Sequence, residues 1–159
     1  MHWLIRFVGD YFFLLSLAIV AVYWLLAHRH EKVTLVWQLL AGGALALLFS
    51  TVASSLYYDT RPFVTERVVP LIAHSADNGF PSDHTLLTAF LGFTIYIHSR
   101  VVGGILLLIA LLVGVARVAA HIHHPIDIVG SFVIAALSVA LIQLATRGWK
   151  RMRTTPARG

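Results

Sequence analysis

Three short clusters in this chain combine residue types suited to holding and cleaving a phosphate ester: Arg61-Pro62, Pro81-Ser82-Asp83-His84, and Arg117 with His123 and Asp127. Phosphoryl transfer needs cations to grip the oxygens, a nucleophile, and an acid for the departing oxygen. Arg61 and Arg117 supply a fork-like clamp that binds the ground state and stabilises charge as it develops. His123 and Asp127 are four residues apart, with Pro125 between them placed for the first turn of a helix, so Asp127 reaches back to His123. A carboxylate on one ring nitrogen fixes the tautomer and leaves the other nitrogen free to attack phosphorus. His84, at a helix start behind Pro81-Ser82-Asp83, is placed to protonate the leaving oxygen and then to act as base for water. The free N–H groups of that helix start form an anion cradle, to which Ser82 adds its hydroxyl.

Each residue alone has a plainer explanation. Arg61 could be a solvated loop charge, Arg117 an arginine snorkelling to the membrane interface, His123 a structural histidine, and Pro81 to His84 a simple cap. Their convergence, once the helices are drawn, separates the two readings. His74, His121 and His124 raise a metal site, but no carboxylate-rich cluster accompanies them and adjacent histidines in a short turn diverge, so no metal and no cofactor are expected. With cysteine absent, thiolate chemistry and disulfides are excluded.

The elements that position these residues are membrane spans. Of 159 residues, 58% are hydrophobic and 12% charged, far from the soluble average. Apolar runs fall at 11–27, 33–56, 82–98, 101–120 and 126–146, which predicts an all-α bundle of about five transmembrane helices in a single domain, 1–159. The third run is short, so its polar start lies at or just inside the interface. A short interfacial helix is expected over 65–74, and Gly42-Gly43 mark a close helix approach within the second run. A basic, flexible tail is expected over 149–159. The net charge of +5 resides largely in that tail, which indicates contact with a membrane surface and not with nucleic acid.

Five spans put the loop 57–84 and the turn 121–125 on the face of the N-terminus, and the C-terminus opposite. Eight basic residues (Arg29, Lys32, Arg100, Arg147, Lys150, Arg151, Arg153 and Arg158) lie on the C-terminal side, against Arg6, Arg61, Arg67 and Arg117 on the other. By the positive-inside rule the C-terminus is cytoplasmic and all three clusters open on the outer face.

The clusters closely resemble the three-part signature of the type-2 phosphatidic acid phosphatase superfamily, whose helical core is shared with vanadium haloperoxidases. Its third motif, arginine, five residues, histidine, three residues and aspartate, is matched by Arg117, His123 and Asp127. Its second, Pro-Ser followed by a catalytic histidine, is matched by Pro81-Ser82-Asp83-His84, and its first ends in Arg-Pro, as at Arg61-Pro62. Two positions depart: Ser54 stands where the first motif opens with lysine, with Arg67 a candidate substitute, and Ala116 where a serine precedes the arginine. Within the superfamily, Tyr58-Asp59-Thr60-Arg61-Pro62-Phe63 and Phe80-Pro81-Ser82-Asp83-His84 look like the bacterial undecaprenyl-diphosphate phosphatases associated with bacitracin resistance. The resemblance implies a metal-independent enzyme of the bacterial cytoplasmic membrane that releases the terminal phosphate of a lipid diphosphate on the outer face, in two steps through phosphohistidine. It leaves open phosphatidate, phosphatidylglycerol phosphate or a lipid A phosphate as substrate. From another class, a non-catalytic anion-binding membrane protein or transporter also remains open.

Overall fold

The computed structural model describes residues 2–154, and among these the chain is helical, with no named strand. Six helices follow in order: α1 (His2–Leu26), α2 (Arg29–Leu56), α3 (Pro62–Thr65), α4 (Asp83–Tyr96), α5 (Arg100–Ala119) and α6 (Pro125–Thr154). Helices α1, α2, α5 and α6 are long and apolar enough to cross a membrane. Their exposed surface is itself apolar, with Leu26, Leu56, Val101 and Leu108 all turned outward. Such a surface would be an aggregation liability in water and is what a hydrocarbon solvent selects.

Helix α4 is the third expected span, and it has 14 residues, not 17. At a rise of about 1.5 Å per residue it covers roughly 21 Å, short of the roughly 30 Å hydrocarbon core, and it is not among the helices long enough to cross. It is also the innermost element, packed against α1, α2, α5 and α6. Leu86, Ala89, Phe90, Leu91 and Ile95 form the centre of the main core with Leu106, Ala110, Ile134 and Ala135. The threonines of α4 (Thr85, Thr88 and Thr94) are buried as well, and Thr88 Oγ1 donates to the His84 carbonyl at 2.8 Å, satisfying itself within the helix. At the far end His98 Nε2 and Gln38 Oε1 lie 2.7 Å apart and tie α4 to α2.

Small residues set the interhelical distances. Gly42 faces the ring of Phe90, as expected of the Gly42-Gly43 pair. The tighter approach is at Gly103 on α5, where an added methyl would overlap the backbone of Tyr96 on α4. Backbone cannot step aside as a flexible side chain does. Gly103→Ala is therefore expected to destabilise the bundle by about 1–3 kcal/mol, read as a lowered Tm in detergent micelles; an unchanged Tm would mean that α4 and α5 are not in contact here.

Three sequence expectations are corrected. The first helix begins at His2, so the residues ahead of the run predicted from Tyr11, Trp3, Arg6 and Asp10 among them, belong to the same helix. The interfacial helix predicted over 65–74 is instead the single turn α3, seeded by Pro62 at its first position. It stops because Arg67 adopts φ 55°, and Pro70 follows. Helix α6 runs on to Thr154, so the start of the basic tail continues the helix, while 155–159 lie outside the described residues.

Candidate active site

The turn between α5 and α6 carries His123, and the start of α6 fixes what lies beneath it. Asp127 sits in the first turn of α6, fully buried. Its Oδ2 accepts from the His124 backbone N–H at 2.9 Å and lies 3.1 Å from His123 Nδ1. Ser131, one turn further on, donates to the Asp127 carbonyl at 2.8 Å and to the Ser82 carbonyl at 3.0 Å, which locks α6 to the start of α4.

On its other side His123 meets Arg61, whose Nη1 is 3.4 Å from Nε2. A guanidinium only donates, and a carboxylate only accepts. The ring therefore carries its proton on Nδ1, shared with Asp127, and presents a bare Nε2. Burial pushes the His123 pKa below the ordinary imidazole value; Arg117 and Arg61 add to this, and the Asp127 hydrogen bond opposes it. That lowering favours the neutral ring, which is lost as pH falls.

Arg61 has three hydrogen-bond partners. Its Nε donates to Asp77 Oδ1 at 2.7 Å, Nη1 to the Ile122 carbonyl at 2.8 Å and Nη2 to the Asn78 carbonyl at 3.2 Å. It therefore fastens the 57–82 loop to the turn that carries His123. Asn78 organises that loop from within: Oδ1 accepts from the N–H groups of Asp59 and Phe80, and Nδ2 donates to the carbonyls of Ser54 and Tyr57. Asp77 is held below the usual carboxylate range by hydrogen bonds from Ser75 and then Arg61.

Arg117, in the last turn of α5, is almost wholly buried. Its Nη1 donates to the Gly9 carbonyl of α1 at 3.1 Å, and Asp10 Oδ1 lies 3.8 Å away. These contacts offset much of the cost of an intramembrane cation. Its Nε, by contrast, is buried without a partner. An unsatisfied charged donor at a cavity wall suits an anion as its partner.

Arg61, His84, Arg117 and His123 all border one cavity of about 330 Å³, together with His74, Asp77, Asn78, Phe80, Pro81, Asp83, Ser50 and Ser54. His84 is half-buried, its ring set edge-on to Phe13 of α1 at 4.7 Å between centroids. Four of the six expected residues thus share a common wall, with Asp127 directly behind His123. Ser82 does not reach it. Its side chain is fully buried, Oγ lies 3.1 Å from Thr85 Oγ1, and it makes no cap hydrogen bond, so it supports the start of α4 without touching the cavity. Arg67 is exposed and is not among the cavity residues, so it does not replace the lysine absent at Ser54.

The remaining histidines divide among different partners. His121 pairs with Glu66 at 2.9 Å on the exterior, and His124 Nδ1 lies 2.7 Å from Asp59 Oδ2. Asp59, His124 and Asp127 come within ligand distance of one another, and the hydrogen bonds of His124 and His123 to the two carboxylates account for that closeness. Asp59 is raised above its usual pKa by burial and by the neighbouring Asp127 charge, against the hydrogen bond from His124. Sequence reasoning missed the parts played by His74, Asp77 and Asn78; loop residues carry no periodicity, and only their long-range contacts reveal them.

Comparison with known proteins places the chain among relatives. The chain is 31% identical over 140 residues to the bacitracin transport permease protein BcrC of Bacillus licheniformis, covering 87% of this chain and 68% of that one. It is 30% identical over 131 residues to undecaprenyl-diphosphatase BcrC of Bacillus subtilis (strain 168), covering 82% and 67%. Its fold matches the crystal structure of a transmembrane PAP2 type phosphatidylglycerolphosphate phosphatase from Bacillus subtilis, with a TM-score of 0.62 at 24% identity, over 99% of this chain and 78% of that one. The PAP2 superfamily profile matches residues 35–151, which contain α3, α4, α5, most of α6 and all three motif clusters. The chain belongs to the PAP2 superfamily.

Proposed function

We propose that this protein is a lipid phosphatase that hydrolyses undecaprenyl diphosphate to undecaprenyl phosphate, with His123 as nucleophile. The observation that carries the reading is His123 itself, with Nδ1 held by Asp127 and a bare Nε2 facing Arg61 in a cavity shared with Arg117 and His84. In the first step Nε2 attacks the terminal phosphorus as the bond to the bridging oxygen breaks. His84 gives its proton to the departing lipid phosphate, and Arg61 and Arg117 hold the equatorial oxygens. In the second step His84 takes a proton from water, the hydroxide attacks phosphohistidine, the N–P bond breaks, and inorganic phosphate leaves. Asp127 stabilises the imidazolium-like intermediate throughout. Each step inverts phosphorus, so the sequence retains configuration. No step draws on a metal.

Charge supports the orientation: with the basic C-terminal side cytoplasmic, the cavity opens on the outer face, where the spent lipid carrier of cell-wall synthesis would be recycled. The diphosphate is favoured over other lipid phosphates by the relative named undecaprenyl-diphosphatase and by the cationic wall. The name of the other relative points to transport. A transporter would need an anion site but no nucleophile backed by a buried carboxylate.

Purified protein in detergent with excess chelator is expected to release phosphate from undecaprenyl diphosphate faster than from phosphatidate or phosphatidylglycerol phosphate. No release from any lipid phosphate would favour the transporter; release that chelator abolishes would remove the metal-free mechanism.

A further inference from the structure

His74 is the cavity histidine that the two-step chemistry leaves unused. It lies in the loop between α3 and α4, on the same wall as Arg61, His84, Arg117 and His123, with its ring 6.2 Å from that of His123 and nearly perpendicular to it. The loop holds it in place: Nδ1 is 3.4 Å from the Ser75 carbonyl and 4.0 Å from Asp77 Oδ1, the same carboxylate oxygen that anchors Arg61. Both acceptors put the ring proton on Nδ1. Among the described residues Nε2 has no hydrogen-bonding partner, and it is the ring nitrogen left for an occupant of the cavity.

We propose that His74 binds the inner, lipid-linked phosphate of a diphosphate substrate and so sets a preference for diphosphates over monophosphates. This rests on the diphosphatase reading above. The terminal phosphate, at bonding distance from His123 Nε2, is served by Arg61 and Arg117, and a cavity of about 330 Å³ is roomier than one phosphoryl group. A diphosphate brings further negative charge, and His74 is the remaining cavity side chain that can become positive to meet it. Burial and then Arg61 keep its pKa below the ordinary value, with Arg117 adding to this and Asp77 and Ser75 opposing. The other titratable groups facing it are His84 and His123. An arriving diphosphate reverses that balance, so Nε2 takes up a proton and donates to a phosphate oxygen. The diphosphate preference should therefore be larger at pH 6 than at pH 8.

The test uses the full chain in detergent, with farnesyl diphosphate and farnesyl monophosphate as paired substrates that share one tail. His74→Gln is expected to lower kcat/KM for the diphosphate about tenfold, mostly through KM, and to leave the monophosphate within about twofold. His74→Lys, permanently cationic, should restore most of the preference and flatten its pH dependence. Equal losses on both substrates, or no loss on either, would overturn the proposal while leaving the diphosphatase intact. Wild-type protein that hydrolyses the monophosphate but not the diphosphate would overturn both.

Discussion

His123→Ala is expected to lower phosphate release by at least about 10³-fold without unfolding the protein. The nucleophile is lost outright, and no second group stands in its place: His84 is presented from the start of α4 against Phe13, and the His74 ring, in the loop between α3 and α4, is 6.2 Å from that of His123 and nearly perpendicular to it. The fold should survive because the buried partners of His123 keep other contacts. Asp127 Oδ2 retains the His124 N–H, and Arg61 retains Asp77, Ile122 and Asn78. A Tm within a few degrees of wild type would separate lost chemistry from lost structure. Residual activity above about a tenth of wild type would place the nucleophile elsewhere.

Asp127→Asn has the second largest expected effect, a fall in kcat of about 10²- to 10³-fold, or roughly 3–4 kcal/mol of transition-state stabilisation. The amide can place its oxygen where Oδ2 accepts from His123 and His124, so the geometry is retained. What disappears is the negative charge that stabilises the ring as it becomes phosphohistidine. The Asp127 hydrogen bond is also one of the causes that raise the His123 pKa against burial. Removing the charge lowers that pKa further, so the acid limb of the pH–rate profile should move to lower pH in the variant. An acid limb that moves upward, or a kcat unchanged by the substitution, would contradict the assigned role.

How much of this was legible in the sequence follows from what each contact depends on. Helices α1, α2, α5 and α6 were legible because hydropathy over some twenty residues is a local property. The His123 and Asp127 pair was legible because a four-residue spacing on a helix start is local too. Ser82 was assigned to the cavity because Pro-Ser at a helix start looks like a cradle. Whether its hydroxyl faces a ligand or Thr85 depends on how α6 packs over it, through Ser131.

The contribution of α1 was not legible. Arg117 donates its hydrogen bond to a carbonyl 108 residues away, and Phe13 packs edge-on to the ring of His84; nothing in the first residues of the chain announces either. The stretch 65–74 was misread as helical for a related reason. The order of its loop, 57–82, comes from the Asn78 side chain, from Arg61 reaching across to Ile122, and from backbone bonds joining Phe63 to His121 and Leu71 to Ala120. Local propensity has no access to those partners.

The central claim is that phosphorus passes through His123. Protein mixed with lipid diphosphate labelled on its terminal phosphate, and quenched in alkali within the first turnover, should carry a label that survives alkali, is released by acid, and maps to His123. His84→Asn, which lacks the base for the second step, should accumulate that label. A chain that turns over substrate with no trapped label, or that is still labelled after His123→Ala, would contradict the account.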